Sequence, residues 1–103
     1  MSKKKLLLAD TDEGFLRELS YYFMERVPQF ELVIFTEPEK MFQYLETNGQ
    51  ADVVMVDEEL AGERLSVLTE GRTRIALSTG KPLPEGYGAV KKFQRLEALA
   101  SAV

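Results

Sequence analysis

The 103-residue sequence contains no cysteine and no histidine. The first absence excludes disulfides and thiolate zinc sites. The second excludes Ser-His-Asp and Cys-His nucleophilic catalysis, together with imidazole-based acid–base chemistry. Carboxylates, lysines and hydroxyl groups must therefore supply any ionic chemistry that this chain performs.

Long apolar runs and glycine-rich phosphate loops are absent too. No stretch approaches the roughly 20 apolar residues of a membrane helix, and the apolar run at residues 6–9 is too short for a signal peptide. No Gly-x-x-x-x-Gly-Lys-Ser/Thr sequence occurs, which argues against a small nucleotide-binding enzyme. We expect a cytoplasmic protein that is not an enzyme and does not insert into a membrane.

The charges are unevenly distributed along the chain. The net charge is −4, but residues 1–71 hold 7 basic and 15 acidic groups, whereas residues 72–103 hold 6 basic and 2 acidic groups. The acidic majority argues against nucleic acid as a partner. An apolar fraction of 45% with 29% charged residues is ordinary for one globular domain, which we expect to be the N-terminal part of a longer protein.

Short apolar segments alternate with amphipathic ones, which predicts an α/β domain with parallel strands. The predicted strands are residues 5–9, 30–35, 52–56, 74–77 and 87–90. Asp12 is expected to cap a first helix, and Thr36-Glu37-Pro38-Glu39 has the spacing of a capping box for a second. A weak third helix is predicted near residues 63–69, and a last helix carries Leu96, Leu99, Ala100 and Val103 on one face.

Polar side chains follow four of the predicted strands directly: Asp10, Asp57, Ser78 and Lys91. One acid after a strand is most often a helix cap or a solvated loop residue. In a doubly wound sheet, however, ligands bind beyond the carboxyl ends of the strands. Four such groups converging on one edge therefore indicate a site.

This ordered set resembles the receiver domain of two-component response regulators, over nearly the whole chain. The segments that carry the resemblance are Leu6-Leu7-Leu8-Ala9-Asp10, Asp52-Val53-Val54-Met55-Val56-Asp57, Leu77-Ser78 and Val90-Lys91-Lys92-Phe93. The resemblance implies a doubly wound, flavodoxin-like sheet of order 2-1-3-4-5. Its chemistry is attack by an aspartate on a phosphoryl group that Mg²⁺ holds on carboxylate oxygens.

The resemblance also implies a role for each polar residue. Asp57 corresponds to the phosphoacceptor, Asp10 and Asp12 to the acidic pocket, and Ser78 to the switch hydroxyl. Lys91 or Lys92 corresponds to the site lysine, and Asp10 and Asp57 to the ligands of Mg²⁺. Thr11, however, stands where the family has the second acid of the pair, so we expect Mg²⁺ binding to be weak or lost.

Two further departures concern the second half of the chain. Only residues 79–85 are available to connect the fourth and fifth strands, whereas a helical crossover needs a dozen or more. We therefore predict that the fourth helix is missing, that the third is short, and that a Pro/Gly loop replaces the fourth. In addition, Lys92-Phe93-Gln94 is similar to the lysine-aromatic-glutamine turn of receiver-like domains that precede MinD/ParA-type ATPases.

The favoured interpretation is a pseudo-receiver that binds proteins, with homodimerisation and a C-terminal ATPase domain as its expected associations. The alternative is a working receiver that a histidine kinase phosphorylates on Asp57. Tyr21, Tyr22 and Tyr44 are candidates for a binding patch, although core packing is the commoner role of aromatic residues.

Overall fold

The computed structural model describes residues 4–47 and 49–92. Its strands are β1 (Lys4–Ala9), β2 (Phe30–Phe35), β3 (Val53–Asp57), β4 (Thr73–Ser78) and β5 (Gly88–Lys91). Its helices are α1 (Glu13–Arg26), α2 (Pro38–Glu46) and α3 (Glu63–Leu68), and one 3₁₀ turn spans Glu58–Leu60. The predicted last helix, with Leu96, Leu99, Ala100 and Val103, lies outside the described residues.

All five strands run parallel, in the order β2-β1-β3-β4-β5. The predicted doubly wound, flavodoxin-like sheet is therefore confirmed. The register pairs Leu8 of β1 with Ile34 on one side and Met55 on the other. Since the strands are parallel, Asp10, Asp57 and Ser78 all reach the same edge of the sheet.

Two apolar clusters form the core, one on each face of the sheet. The α1 face buries Leu16, Leu19 and Phe23 against β1, β3 and β4. The opposite face buries Met41, Phe42 and Leu45 of α2 and Leu65 of α3. The central strands β1 and β3 are nearly continuous apolar runs because they contribute side chains to both clusters.

Of the side-chain caps predicted for the first two helices, only that of α1 is confirmed. Asp12 caps α1 as predicted, and its side chain accepts a hydrogen bond from the Phe15 amide at 3.1 Å. The capping box predicted at Thr36 is wrong, because the N-cap is Glu37 and no side chain caps the helix. Pro38 at the first helical position instead provides a backbone already close to helical geometry, which fixes where α2 begins.

The connection from β4 to β5, residues 79–87, contains no helix, and α3 has only six residues, as predicted. Two glycines in the left-handed region turn it, Gly80 with φ 109° and Gly86 with φ 92°. Tyr87 anchors the end of this connection to the residues around α3. The Tyr87 hydroxyl donates to the Gly62 carbonyl at 3.1 Å and accepts from the Ser66 hydroxyl at 3.2 Å. We call residues 79–87 the β4–β5 loop.

Over residues 4–47 and 49–92, none of the helices has both the length and the apolar character that crossing a bilayer requires.

Candidate functional site

Two aspartates end neighbouring central strands at the carboxyl edge of the sheet. Asp10 follows β1 directly, and Asp57 is the last residue of β3. Both are buried, with 1% and 8% of their surface exposed. An ionised carboxylate at such a depth is costly unless a positive charge and hydrogen bonds compensate it.

Lys92 supplies that compensation. Its ammonium nitrogen lies 2.8 Å from Asp10 Oδ2 and 3.1 Å from Asp57 Oδ1. Lys92 is itself only 8% exposed, and its nitrogen also lies 5.2 Å from the centre of the Phe15 ring. We call Asp10, Asp57 and Lys92 the carboxylate–lysine pocket.

Backbone geometry aims Lys92 into this pocket. Its amide donates to the Ser78 carbonyl at 2.9 Å, which continues the β4–β5 ladder one residue beyond the end of β5. Successive side chains of an extended chain point to opposite faces. Lys91, the residue before, is accordingly exposed, so of the two candidate lysines it is Lys92 that lies beside the buried carboxylates.

The second oxygen of each buried carboxylate, the one that does not face Lys92, accepts a hydrogen bond from a backbone amide. Asp10 Oδ1 accepts from the Asp12 amide at 2.9 Å, and Asp57 Oδ2 accepts from the Glu59 amide at 3.1 Å. Both carboxylates are thereby held in fixed orientations toward Lys92. Burial alone would lower the pKa of Lys92, but the hydrogen bonds that its ammonium donates to Asp10 and then to Asp57 outweigh burial, so that the pKa is raised.

Two predicted members of the site lie elsewhere. Asp12 is exposed and its carboxylate caps α1, so it takes part only through its backbone amide. The Ser78 hydroxyl accepts from the Gly80 amide at 3.0 Å, and among the described residues no contact joins it to either aspartate. The structure therefore brings Asp10, Asp57 and Lys92 together and leaves Asp12 and Ser78 at the rim.

Ser78 and Lys91 instead line an open groove of about 500 Å³ with Thr79, Gly80 and Ala89. Val56 belongs to the apolar cluster on the face covered by α2 and α3. Because the register pairs Val56 with Ala76, the Ala76 side chain lies on that same face. The groove thus occupies the side of β4 and β5 on which a fourth helix would pack.

The β4–β5 loop is held against the 3₁₀ turn by contacts that no sequence pattern predicts. Glu58 accepts hydrogen bonds from the Thr79 hydroxyl and from its amide, the latter at 3.1 Å, and Lys81 forms an ion pair with Glu59. The Thr79 hydrogen bonds are the main reason why the pKa of Glu58 lies below its ordinary value. The only sequence signal was the acidic run that follows β3.

The residues of the pocket do not fit the Mg²⁺ ion that the receiver resemblance implies. A divalent ion of this kind prefers several oxygen ligands. Within residues 4–47 and 49–92, no three carboxylates converge on a common point. Thr11 is exposed, and the Lys92 ammonium already lies against both buried carboxylates. Each oxygen of the two carboxylates thus already has a partner, either the ammonium or a backbone amide.

No family model and no curated protein matches this chain. Among solved structures, the chain is similar to one described as a yeast Spc42 trimeric coiled coil, amino acids 181–211, fused to another structure. The TM-score is 0.72 at 14% identity, and the match covers 95% of this chain and 74% of that one. A likeness at this identity shows the fold alone.

Proposed function

We propose that the chain is an atypical receiver domain, a pseudo-receiver, which acts as a protein-interaction module and has lost regulated phosphorylation. The observation that carries the proposal is the position of the Lys92 ammonium, 2.8 Å and 3.1 Å from the two buried carboxylates. The fixed ammonium offsets part of the charge of the two carboxylates, so that both can stay buried without Mg²⁺ or phosphate. We assign it a structural role and no enzymatic activity.

The missing fourth helix supports an altered output. Switching domains transmit a local charge change through an element with two discrete arrangements. Here the β4–β5 loop is tethered by Tyr87 and by the Glu58–Thr79 contact, and the Ser78 hydroxyl is engaged with Gly80. This arrangement favours a surface that is constant rather than regulated.

The partner class that we propose is protein, in a cytoplasmic setting, with a MinD/ParA-type ATPase domain as the favoured associate. The support is that Lys92, followed by Phe93 and Gln94, is the lysine in the pocket. This agrees with the alignment on the lysine-aromatic-glutamine turn. The excess of acidic residues before position 72 argues against nucleic acid as the partner.

Beryllofluoride with Mg²⁺, a mimic of a phosphorylated aspartate, tests the proposal. Amide NMR spectra are recorded on the native chain and on Asp57→Asn while both reagents are titrated. We expect no saturable shift around Asp57 at millimolar reagent. Saturable shifts that Asp57→Asn abolishes would overturn the proposal in favour of a receiver phosphorylated on Asp57 by a histidine kinase.

A gain-of-function variant sharpens the same test. Thr11→Asp restores a second acid beside Asp10 at an exposed position, and it should raise the affinity for Mg²⁺ by about tenfold. Thr73→Asp, at the opposite end of the sheet, is the matched control that adds the same charge away from the pocket. Equal affinity of the native chain and Thr11→Asp would contradict the role assigned to Thr11.

A further inference from the structure

One edge of the sheet is open and apolar. β2 pairs with β1 and, among the described residues, with no other strand. Its sequence, Phe-Glu-Leu-Val-Ile-Phe, contains one charge and neither proline nor glycine. Native proteins ordinarily protect an edge strand with lysine, proline, a bulge or a short length, and β2 has none of these.

The backbone of β2 presents hydrogen-bonding groups to the outside. The Phe35 carbonyl accepts from the Asp10 amide at 3.2 Å, so it points toward β1. Backbone groups of an extended strand alternate in direction from residue to residue. The amides and carbonyls of Leu32 and Ile34 must therefore point away from the sheet, where a further strand would pair with them.

Exposed apolar side chains flank the same edge. Ile34 is 44% exposed, and on α1 beside it Tyr21 and Met24 are 60% and 58% exposed. With Leu16 these three line a groove of about 300 Å³ on the α1 face of the sheet. Backbone groups and apolar surface thus lie next to each other, as the addition of a strand requires.

The other edge of the sheet differs in each respect. β5 has only four residues, and it carries Gly88 and the exposed Lys91. Lysine and short length are features that prevent pairing between edges, and glycine weakens a strand. The β5 edge is therefore a poor template, although the missing fourth helix leaves the groove beside it open.

We propose that a second copy of this chain docks on β2, with the two β2 strands paired antiparallel about a twofold axis into one continuous sheet. The proposal rests on the function proposed above and names its partner and surface. A twofold interface must match itself, and an antiparallel pair of identical strands does so. A dyad at Val33 places Leu32 opposite Ile34 of the second copy, so the outward backbone groups of both strands meet.

Side-chain chemistry agrees with this pairing. With the twofold axis at Val33, Glu31 lies opposite Phe35 of the second copy. With the axis at Leu32, Glu31 lies opposite Val33 of the second copy. Like charges directly opposite each other would destabilise the pair, and neither register produces them. A twofold axis perpendicular to the sheet keeps both α1 helices on the same face, where Tyr21 and Met24 of the two copies cover one another.

Sedimentation equilibrium of the full chain, from about 10 µM to about 1 mM, tests the proposal. We expect a concentration-dependent rise from 11.7 kDa toward twice that mass. Ile34→Lys should raise the dimer dissociation constant about tenfold or more, because it adds a charge to the edge. Val67→Lys is the matched control, since Val67 is 68% exposed on α3, away from β2. A monomer throughout, or equal effects of the two variants, would overturn the proposal.

Amide hydrogen exchange locates the contact independently of any substitution. The outward amides of Leu32 and Ile34 should become protected as the concentration rises, while those of Ala89 and Lys91 on the β5 edge stay unchanged. Protection at Ala89 instead would overturn the docking on β2. Failure of the dimer is distinguishable from failure of the pseudo-receiver proposal, because beryllofluoride binding at Asp57 reports only on the pocket.

Discussion

Two groups of charged residues lie at the same edge of the sheet, and they differ mainly in burial. Asp10, Asp57 and Lys92 are all less than a tenth exposed. Glu59 and Lys81, which join the 3₁₀ turn to the β4–β5 loop, form an ion pair with both side chains more than half exposed. Water screens the exposed pair, whereas removing one partner of the buried group leaves an uncompensated charge.

Ion pairs of similar geometry should therefore contribute very differently to the free energy of unfolding. The pocket holds the ends of β1, β3 and β5 together, while the loop contacts position a surface segment. Tyr87 is intermediate, because it is half-buried and its hydroxyl contacts two groups. The order of effects should therefore follow burial.

The largest effect is expected for Lys92→Met. It leaves Asp10 and Asp57 buried and mutually repelling, which should lower the free energy of unfolding by about 3 kcal/mol at pH 7. Urea denaturation measures the change. Adding Asp10→Asn and Asp57→Asn should recover part of the loss, and Lys91→Met is the control without effect. An unchanged midpoint for Lys92→Met would show that the pocket does not stabilise the fold.

The same lysine predicts an alkaline dependence. Because the pKa of Lys92 is raised in the folded state, its stabilising contribution is complete below the ordinary lysine value of 10.5. The contribution is lost as the pH rises through the folded pKa. Thermal unfolding measured from pH 9 upward should show a decline above pH 10.5 that is absent in Lys92→Met.

A smaller effect is expected for Tyr87→Phe. The change removes the hydroxyl that bonds to Gly62 and Ser66, so the free energy of unfolding should fall by about 1 kcal/mol. Tyr21→Phe, at an exposed tyrosine, serves as the control and should leave the urea midpoint unchanged. Equal midpoints for the two variants would mean that the Tyr87 hydroxyl does not fasten the loop.

The smallest effect is expected at Glu58. Its pKa is lowered in the folded state by the Thr79 hydrogen bonds, so its contribution is present above its ordinary value of 4.5. The contribution disappears as the pH falls through the folded pKa. Below pH 4.5, protection of the Thr79 amide relative to its intrinsic exchange rate should decrease more in the native chain than in Glu58→Gln, while the relative protection of Leu8 in the core stays constant.

Much of the architecture follows from local patterns. The apolar runs of β1 and β3 predict central parallel strands, and the short spacing after Ser78 predicts a connection without a helix. These features depend on burial and chain length, which are visible in one sequence. The capping box predicted at Thr36 is wrong, because the fixed backbone of Pro38 sets the first residue of α2 and makes Glu37 the N-cap.

The site could be predicted less completely. Adjacent lysines at 91 and 92 leave the choice open, since a shift of one residue moves a strand side chain to the opposite face. Only the register of Lys91 against Ser78 decides it. The contacts of Glu58 and Tyr87 depend on the path of a loop, which no periodicity encodes.

The position of Lys92 in the chain also affects the order of folding. During synthesis, β1 and β3 and their carboxylates appear before the fifth strand does. Until Lys92 arrives, Asp10 and Asp57 have no ammonium beside them, so a compact intermediate that buries both is penalised. Closing the pocket requires contacts between β1 and the end of β5, which are far apart in the sequence, and this favours slow, late consolidation of the carboxyl edge.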